Sequence, residues 1–269
     1  MKPAITRRGV FRGALLAAAG AATALAGAGP VKHWCGWDRP PLGGGYASAA
    51  DNLGVVTHGG VQIHYFQPTA EKVVALTFDD GPLPDFTPRF LDALDVARIP
   101  ATFFMVGSRL EEHADLVRGR LDRHEVGNHS WSHTDLATLD LAAASRELQR
   151  THDAIRRHVG REPTLLRPPF GHLGGSTVLA ADAMGYDIAL WSHQMHERNY
   201  LSDPAGQARD LVTTVRPGSI VLAHDAGDRR RLVALDALPA MIAGLQERGY
   251  RFVTVSELLA TAPTKPGQA

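Results

Sequence analysis

The chain has 269 residues, 44% of them hydrophobic, and is therefore long enough to bury a full core. Lysine plus arginine balance aspartate plus glutamate at 28 each, so no basic field attracts nucleic acid and no acidic surplus indicates a disordered tail. The single cysteine, Cys35, excludes an intrachain disulfide and a thiolate-rich zinc site. The composition favours a neutral polymer or a small molecule as the partner.

Residues 1–28 are typical of an export signal rather than of a folded element. Arg7 and Arg8 precede an alanine-rich and leucine-rich run that is too short for a good spanning helix and ends in small residues suited to cleavage. The arginine pair resembles a twin-arginine signal, although Phe11 stands one place later than usual. An uncleaved amphipathic anchor is the alternative. We expect an exported protein, secreted or wall-associated, without a stable membrane span after signal removal.

Residues 29–71 are rich in Gly, Pro, Ala and Ser and predict a linker, in which 61–66 partly alternates and predicts a short edge strand or hairpin arm. After Lys72 an apolar run, a polar loop and a helical pattern repeat in turn. The predicted strands are 73–78, 101–106, 125–128, 164–167, 186–191, 219–223 and 251–255. The predicted helices include 88–98, 109–123, 141–159, 177–184, 204–215 and 232–248.

This alternation predicts the fold class. Seven β/α units in one stretch indicate a single α/β domain over residues 72–261, a distorted, seven-stranded (β/α) barrel with parallel strands. The count is one short of a regular eight-stranded barrel, so we expect an irregular or incomplete one. Residues 262–269 carry two prolines and predict a flexible tail.

Residues capable of acid-base or metal chemistry follow the ends of four predicted strands. They are Asp79 and Asp80 after the first strand, His129 and His133 after the third, Arg167 as the last residue of the fourth and His224 after the sixth. Because catalytic groups of parallel α/β folds gather at the carboxyl ends of the strands, these residues are expected to meet at one rim.

A metal site is predicted from three of these residues. His129 and His133 are four residues apart, the spacing that places both imidazoles on one side of a helical turn. Such a pair alone is more often part of a solvated face, but Asp80 supplies a third ligand. Two histidines and one carboxylate leave open positions for water and substrate, as in catalytic zinc sites.

Hydrolysis also needs a base and an acid. Asp79, adjacent to a ligand, fits the base, and His224 fits the acid because imidazole can be protonated near neutral pH. Arg167 is placed to pair with a carboxylate and hold it ionised. The alternatives are a packed histidine at a strand end for His224 and a surface cation for Arg167.

The segments 77–82, 129–133, 167–171 and 222–224 together resemble the motifs of NodB-homology polysaccharide deacetylases, carbohydrate esterase family 4. The resemblance covers about residues 72–260 and implies a distorted (β/α) barrel that removes acetyl groups from N-acetylated or O-acetylated sugars. It implies that Asp79 is the base, oriented by Arg167, and that His224 is the acid. It further implies that Asp80, His129 and His133 hold one divalent ion, most often zinc, with cobalt or another ion as an alternative.

The resemblance also suggests substrate-binding residues. The backbone N–H of Phe170 would help to bind the oxyanion, and Leu222 would line the pocket for the acetyl methyl group. Trp191 and Glu197 are further candidates. The family usually has an Asp-Trp pair after the fifth strand, where a gapless count from Trp191 finds Glu197 and Arg198. Glu197 can still tune the catalytic histidine, but Arg198 cannot supply an apolar wall.

The neighbouring His193 and His196 either line a remodelled pocket or are ordinary loop residues. The sequence therefore predicts an exported, metal-dependent carbohydrate deacetylase that acts as a monomer on an acetylated polysaccharide or oligosaccharide. A same-fold hydrolase of a non-sugar amide or imide is the alternative, and a non-catalytic binding module for wall polysaccharide is a third reading. No Gly-x-Ser-x-Gly elbow supports a serine nucleophile.

Overall fold

A computed structural model describes residues 60–261 of the chain. The predicted export signal, the predicted tail and the predicted linker up to residue 59 lie outside the described residues, so these predictions are not tested. Over residues 60–261, no helix combines the length and apolar character needed to cross a membrane.

The described chain alternates strands and helices. Its strands are β1 (Ile63–His64), β2 (Val73–Asp79), β3 (Thr102–Met105), β4 (Glu125–Asn128), β5 (Leu165–Leu166), β6 (Asp187–Ala189), β7 (His193–Gln194), β8 (Ser219–His224) and β9 (Arg251–Val253). Its α-helices are α1 (Thr87–Ala97), α2 (Gly107–His113), α3 (Leu141–Val159), α4 (Gly175–Ala183), α5 (Pro204–Thr214), α6 (Val233–Glu247) and α7 (Val255–Leu259).

The strands form one parallel sheet in the order β1-β6-β5-β4-β3-β2-β8-β7, and β9 pairs with the first half of β2. Within the described residues β1 and β7 do not pair with each other, so the barrel is incomplete, as predicted. The predicted number of seven strands is wrong: in the described part of the chain the sheet has nine strands, because the two-residue strands β1 and β7 join the seven that were predicted. Of the two alternatives, the edge strand is observed: β1 lies at the end of the sheet and pairs in parallel with β6, and no hairpin partner for it lies within residues 60–261.

The alternation of β2 decides which side chains enter the barrel. Val74, Leu76 and Phe78 are fully buried in the cluster shared with the helices around the sheet. The intervening residues therefore face the barrel interior, because successive side chains of a strand point to opposite faces. Thr77 and Asp79 lie on this interior face, which carries the first catalytic candidate to the carboxyl end of the sheet.

Helix α3 begins and ends where the sequence predicts. The Asp140 side chain accepts a hydrogen bond from the Ala143 N–H at 2.7 Å, and Gly160 ends the helix with φ 74°. The prediction of a helix over 109–123 is wrong in its second half, because α2 ends at His113. A short 3₁₀ turn follows it, and Gly119 then takes φ 70° and reverses the chain.

The last predicted strand, 251–255, also ends two residues early. The Thr254 side chain accepts from the Glu257 N–H, and the Glu257 carboxylate accepts from the Thr254 N–H. This reciprocal pair caps the amino terminus of α7, so Val255 begins a helix instead of extending β9.

Candidate active site

Asp79 and Arg167 form a buried ion pair at the top of the barrel interior. Arg167 Nη1 lies 2.8 Å from Asp79 Oδ1, and the two side chains are 0% and 5% exposed. The same Nη1 donates to Thr77 Oγ1 at 2.7 Å, so two consecutive interior positions of β2 hold it. The structure thus brings together the pair that was expected from the sequence.

The rest of the Arg167 guanidinium is also satisfied. Nε donates to the Ala189 carbonyl at 2.8 Å and Nη2 to the Leu190 carbonyl at 2.9 Å. The planar group lies 4.1 Å from the centre of the Phe104 ring. A buried charge is stable only when it is paired and hydrogen-bonded, and Arg167 meets both conditions inside the barrel.

Asp80, His129 and His133 converge beside this ion pair. His133 Nε2 lies 2.9 Å and His129 Nε2 3.4 Å from Asp80 Oδ1. One ligand atom from each residue lies within 4.8 Å of the other two. Two imidazole nitrogens and one carboxylate oxygen are a donor set that suits a divalent ion such as zinc, so the residues fit the predicted metal.

The charges of this cluster are strongly coupled. Burial alone would raise the pKa of Asp80, but hydrogen bonds from His129 and His133 outweigh it and hold this pKa well below its usual range. Burial would lower the pKa of His129, but the charge of Asp79 and the contact with Asp80 outweigh burial, so this pKa is raised above its usual value. Nδ1 of His129 lies 2.7 Å from the Arg167 carbonyl, a contact that orients the ring and directs Nε2 toward Asp80.

The two histidines do not share a helical turn, so that part of the prediction is wrong. The segment after β4 is irregular, and Ser130 and His133 have φ 63° and 57°. Side chains hold this shape instead of helical hydrogen bonds. Asn128 Oδ1 accepts from the Ser130 N–H at 2.9 Å, and Glu147 Oε2 accepts from the Ser132 N–H at 2.9 Å.

Left-handed backbone is concentrated at this rim. Among the described residues, six non-glycine residues have positive φ, and five of them flank the candidate site. These five are Asp80, Ser130, His133, Phe170 and His196. Each such residue costs on the order of 1–3 kcal/mol, and clusters of them are typical of functional sites.

The turn after Asp80 is held by an acid that the sequence analysis did not single out. Asp225 is buried and accepts from the Gly81 N–H at 3.1 Å and from Thr87 Oγ1 at 2.6 Å. A side chain at Gly81 would place its Cβ 2.2 Å from Asp225 Oδ2, so only glycine fits. Burial first, and then the nearby charge of Asp80, raise the pKa of Asp225 to about 7.

His224 lies across the rim with Glu197 as its partner. His224 ends β8, and Nδ1 is 3.0 Å from Glu197 Oε1. Burial would raise the pKa of Glu197, but the hydrogen bond and the charge of His224 lower it. Leu222 is buried two residues earlier and therefore faces the same side of the sheet as His224.

The other residues of the altered loop do not form a second cluster. Arg198 is exposed and has no ion-pair partner within residues 60–261. His193 Nε2 lies 3.0 Å from the Thr214 carbonyl, and burial lowers its pKa. His196 is exposed, with φ 49°. His193 is therefore not a loop residue: it lies in β7 and contacts the last residue of α5, and of this segment only Glu197 reaches His224.

Phe170 and Trp191 border the metal-ligand side. Phe170 has φ 63° and is 59% exposed, and its ring centre lies 4.9 Å from that of His133. A Cβ on Gly171 would come within 2.7 Å of the Trp191 ring, so the loop lies directly against the indole. The indole is 5.8 Å from the Arg167 guanidinium. The structure thus places Trp191 beneath the loop that presents Phe170.

Comparison with known proteins decides the family. The chain is 38% identical over 196 residues to a peptidoglycan N-acetylglucosamine deacetylase of Bacillus cereus, covering 71% of this chain and 90% of that protein. A family model for polysaccharide deacetylase matches residues 66–189. This chain belongs to the polysaccharide deacetylase family. The carbohydrate deacetylase class predicted from the sequence is confirmed at this level, although the family match ends before Glu197 and His224.

Solved structures confirm the fold class. A family 4 acetyl xylan esterase from Clostridium thermocellum, in complex with a cobalt ion, is 32% identical with a TM-score of 0.62, and the match covers 70% of this chain and 90% of that chain. A family 4 pseudoenzyme from Bacillus anthracis is 26% identical with a TM-score of 0.69, covering 76% and 71%. The polysaccharide deacetylase fold alone therefore does not decide activity, and the site residues must be weighed.

Several contacts of this polysaccharide deacetylase site were missed by the sequence analysis. Arg231 Nη1 donates to Asp80 Oδ2 at 2.7 Å, and Arg109 Nη1 donates to the Asp80 carbonyl at 2.6 Å. Glu147 holds the histidine loop, and Asp225 holds the turn. No periodic sequence pattern marks these four residues. Only Asp225 has a local signal, because it comes immediately after His224 at the end of a strand.

Proposed function

We propose that this chain removes acetyl groups from N-acetylated polysaccharide with one divalent metal ion, and that it acts outside the cytoplasm. One observation carries the proposal: a base with its cation, a set of three metal ligands and a histidine acid with its carboxylate meet at one rim. Family membership supports the reaction type, and the export pattern of residues 1–28 supports the location. Use of the twin-arginine route stays a prediction.

The metal would be held by Asp80, His129 and His133. When bound, such an ion supplies Lewis acidity to the acetyl carbonyl and lowers the pKa of a water molecule towards about 7. Zinc is the first candidate because the set contains two imidazoles and a carboxylate. Cobalt is a second candidate, since a related esterase was solved with a cobalt ion.

The remaining residues then perform the proton transfers. A water molecule attacks the acetyl carbon, and Asp79 accepts its proton while Arg167 fixes the carboxylate and compensates its charge. As the C–N bond breaks, His224 donates a proton to the leaving nitrogen, and Glu197 stabilises the charged imidazole. Acetate and a free amine result. In this proposal the backbone N–H of Phe170 and the apolar side chain of Leu222 would receive the acetyl group.

Peptidoglycan is the first candidate substrate, because the similar Bacillus cereus protein is named as a deacetylase of that polymer. O-acetylated xylan is the second, because a structural relative is named an acetyl xylan esterase. A non-sugar amide is the alternative that the altered loop around Glu197 and Arg198 favours. The relation to a pseudoenzyme makes a binding module the third.

Acetate release distinguishes these readings. The protein is incubated with peptidoglycan, chitin oligomers, acetylated xylan and simple amides, with and without a chelator, and its metal content is measured in parallel. We expect release from an N-acetylated glycan that the chelator stops and added zinc or cobalt restores. Release from simple amides alone would favour the alternative, and glycan binding without release would favour the binding module.

Two variants separate the roles of the adjacent acids. Asp80→Ala should lose metal and activity together, whereas Asp79→Asn should keep the metal and lose turnover by roughly 10²- to 10⁴-fold, the usual contribution of a general base. Full acetate release by metal-free protein would contradict the mechanism.

A further inference from the structure

The two carboxylate oxygens of Asp80 have different partners, because Arg231 binds one of them and the two histidines lie near the other. Its Nη1 donates to Asp80 Oδ2 at 2.7 Å, whereas Oδ1 faces His133 at 2.9 Å and His129 at 3.4 Å. The Arg231 side chain is 29% exposed, and that of Asp80 is 11% exposed. The contact is therefore sheltered from the screening that weakens most surface ion pairs.

The loop after β8 is shaped to deliver this guanidinium. Nη1 of Arg231 also donates to the Ala226 carbonyl at 3.1 Å. Gly227 has φ 103°, and a Cβ there would lie 3.2 Å from the same nitrogen, so the arginine packs directly against the glycine backbone. Asp228 accepts from the Arg230 N–H at 2.9 Å and fixes the start of the turn that carries Arg231.

The three consecutive arginines of this turn have three different partners. Arg229 is 78% exposed and 3.9 Å from Asp85, and Arg230 is 69% exposed and paired with Asp228 at 2.6 Å. Among the three, only Arg231 is directed into the site. The contact with Asp80 is therefore a specific arrangement of one side chain and not a property of the basic run.

We propose that Arg231 is a positioning residue for the metal ligand Asp80, an inference that rests on the proposed function. By engaging Oδ2, it leaves Oδ1 as the single oxygen directed toward the two histidines. A free carboxylate can bind a cation with both oxygens. Restricting Asp80 to one oxygen preserves the open positions that a hydrolytic site needs for water and for the acetyl oxygen.

Metal affinity tests the inference without relying on turnover. Zinc dissociation constants are measured by competition with a chromophoric chelator for the full chain and for Arg231→Met, Arg231→Lys and Arg230→Met. Outer partners of metal ligands typically contribute 10- to 100-fold in affinity, so Arg231→Met should bind zinc that much more weakly. Arg231→Lys should fall between, because one ammonium restores the charge without the fixed planar geometry. Arg230→Met is the matched control: it removes the same charge from the neighbouring residue, whose side chain pairs with Asp228 and not with Asp80. This variant should bind zinc as tightly as the unmodified chain does.

A second readout follows the coordination itself. The visible absorption of bound Co²⁺ depends on ligand number, so Arg231→Met should change this spectrum while Arg230→Met should not. Thermal unfolding of each metal-free variant verifies that it is folded. If Arg231→Met is not folded, Arg231→Lys serves as the test variant.

The outcomes separate the inference from the proposed function. If the unmodified chain binds no divalent ion, the proposed function fails. If it binds zinc and loses it in Asp80→Ala, but Arg231→Met binds equally well or more tightly, only the role of Arg231 is overturned. Tighter binding would mean that the arginine opposes the cation by charge alone.

Discussion

The two sides of the site are built differently. On one side Asp79 and Arg167 lie inside the barrel, where strand alternation and four hydrogen bonds from the arginine fix them. On the other side Glu197 approaches His224 from a loop, and the adjacent Arg198 is exposed. The comparison indicates that the proposed proton acceptor is part of the core, whereas the proposed acid is paired with a carboxylate from a loop that carries the altered family motif.

The largest expected effect comes from breaking the core side. Arg167→Met should lower the free energy of unfolding by about 3–5 kcal/mol, because it leaves Asp79 buried without its cation. Urea unfolding at pH 7 measures the loss. Arg118→Met, which removes an arginine that is 73% exposed, is the control and should change the free energy of unfolding by less than about 0.5 kcal/mol. Equal losses in both variants would mean that the buried pair has no special weight.

The loop side should affect turnover more than stability. Glu197→Gln keeps the shape of the side chain but removes the charge that faces His224, so kcat should fall on the order of 10- to 100-fold, part of what a general acid supplies. The zinc dissociation constant should be unchanged, because Glu197 is not a metal ligand. Steady-state acetate release and chelator competition give the two values; a parallel loss of zinc would show that the two sides are not independent.

The pH dependence of stability sharpens the same comparison. The pKa of Glu197 is lower in the folded chain than its ordinary value of 4.5, so the folded state binds this proton less tightly than the unfolded state. The stabilisation is therefore complete above pH 4.5 and is lost as the pH falls below it. Unfolding free energies should differ between the unmodified chain and Glu197→Gln by about 1 kcal/mol at pH 7, and the difference should shrink at pH 3.5. A difference that is constant with pH would contradict this.

The smallest effect is expected at Arg198. Arg198→Trp should change the free energy of unfolding by less than about 0.5 kcal/mol, since the side chain is exposed. An indole beside Glu197 should lower KM for uncharged chitin oligomers and leave kcat nearly constant, because it adds an apolar wall. Arg118→Trp, outside the loop, should leave KM unchanged. A large fall in kcat for Arg198→Trp would place the arginine in the chemistry itself.

Sequence reasoning located the strand-borne residues because their signal is local. The apolar run before Asp79 and the run before His224 each predict a strand, and parallel strands end at a common edge. Their partners, Arg167 for Asp79 and Glu197 for His224, could be predicted only when the family resemblance was added to this geometry. The bounds of α3 were also predictable, since Asp140 and Gly160 are ordinary capping residues.

Long-range contacts and irregular backbone could not be predicted in this way. Arg231 lies 151 residues from Asp80 in the chain, and nothing in a run of three arginines tells which one reaches the site. The two-residue strand β7 is too short to produce a pattern. The pair of His129 and His133 was identified by spacing, but its helical geometry was wrong because Asn128 and Glu147 impose a left-handed loop.

The five left-handed residues at the rim also bear on attempts to make this protein more heat-tolerant. Ser130 and His196 are two of them, and glycine would adopt their backbone conformations without steric cost. Glycine substitutions there would relieve backbone strain, but they would also loosen the loops that hold the proposed metal ligands and Glu197. Substitutions on the helices around the sheet offer a gain without that penalty, so stabilised forms of the enzyme are best sought far from its rim.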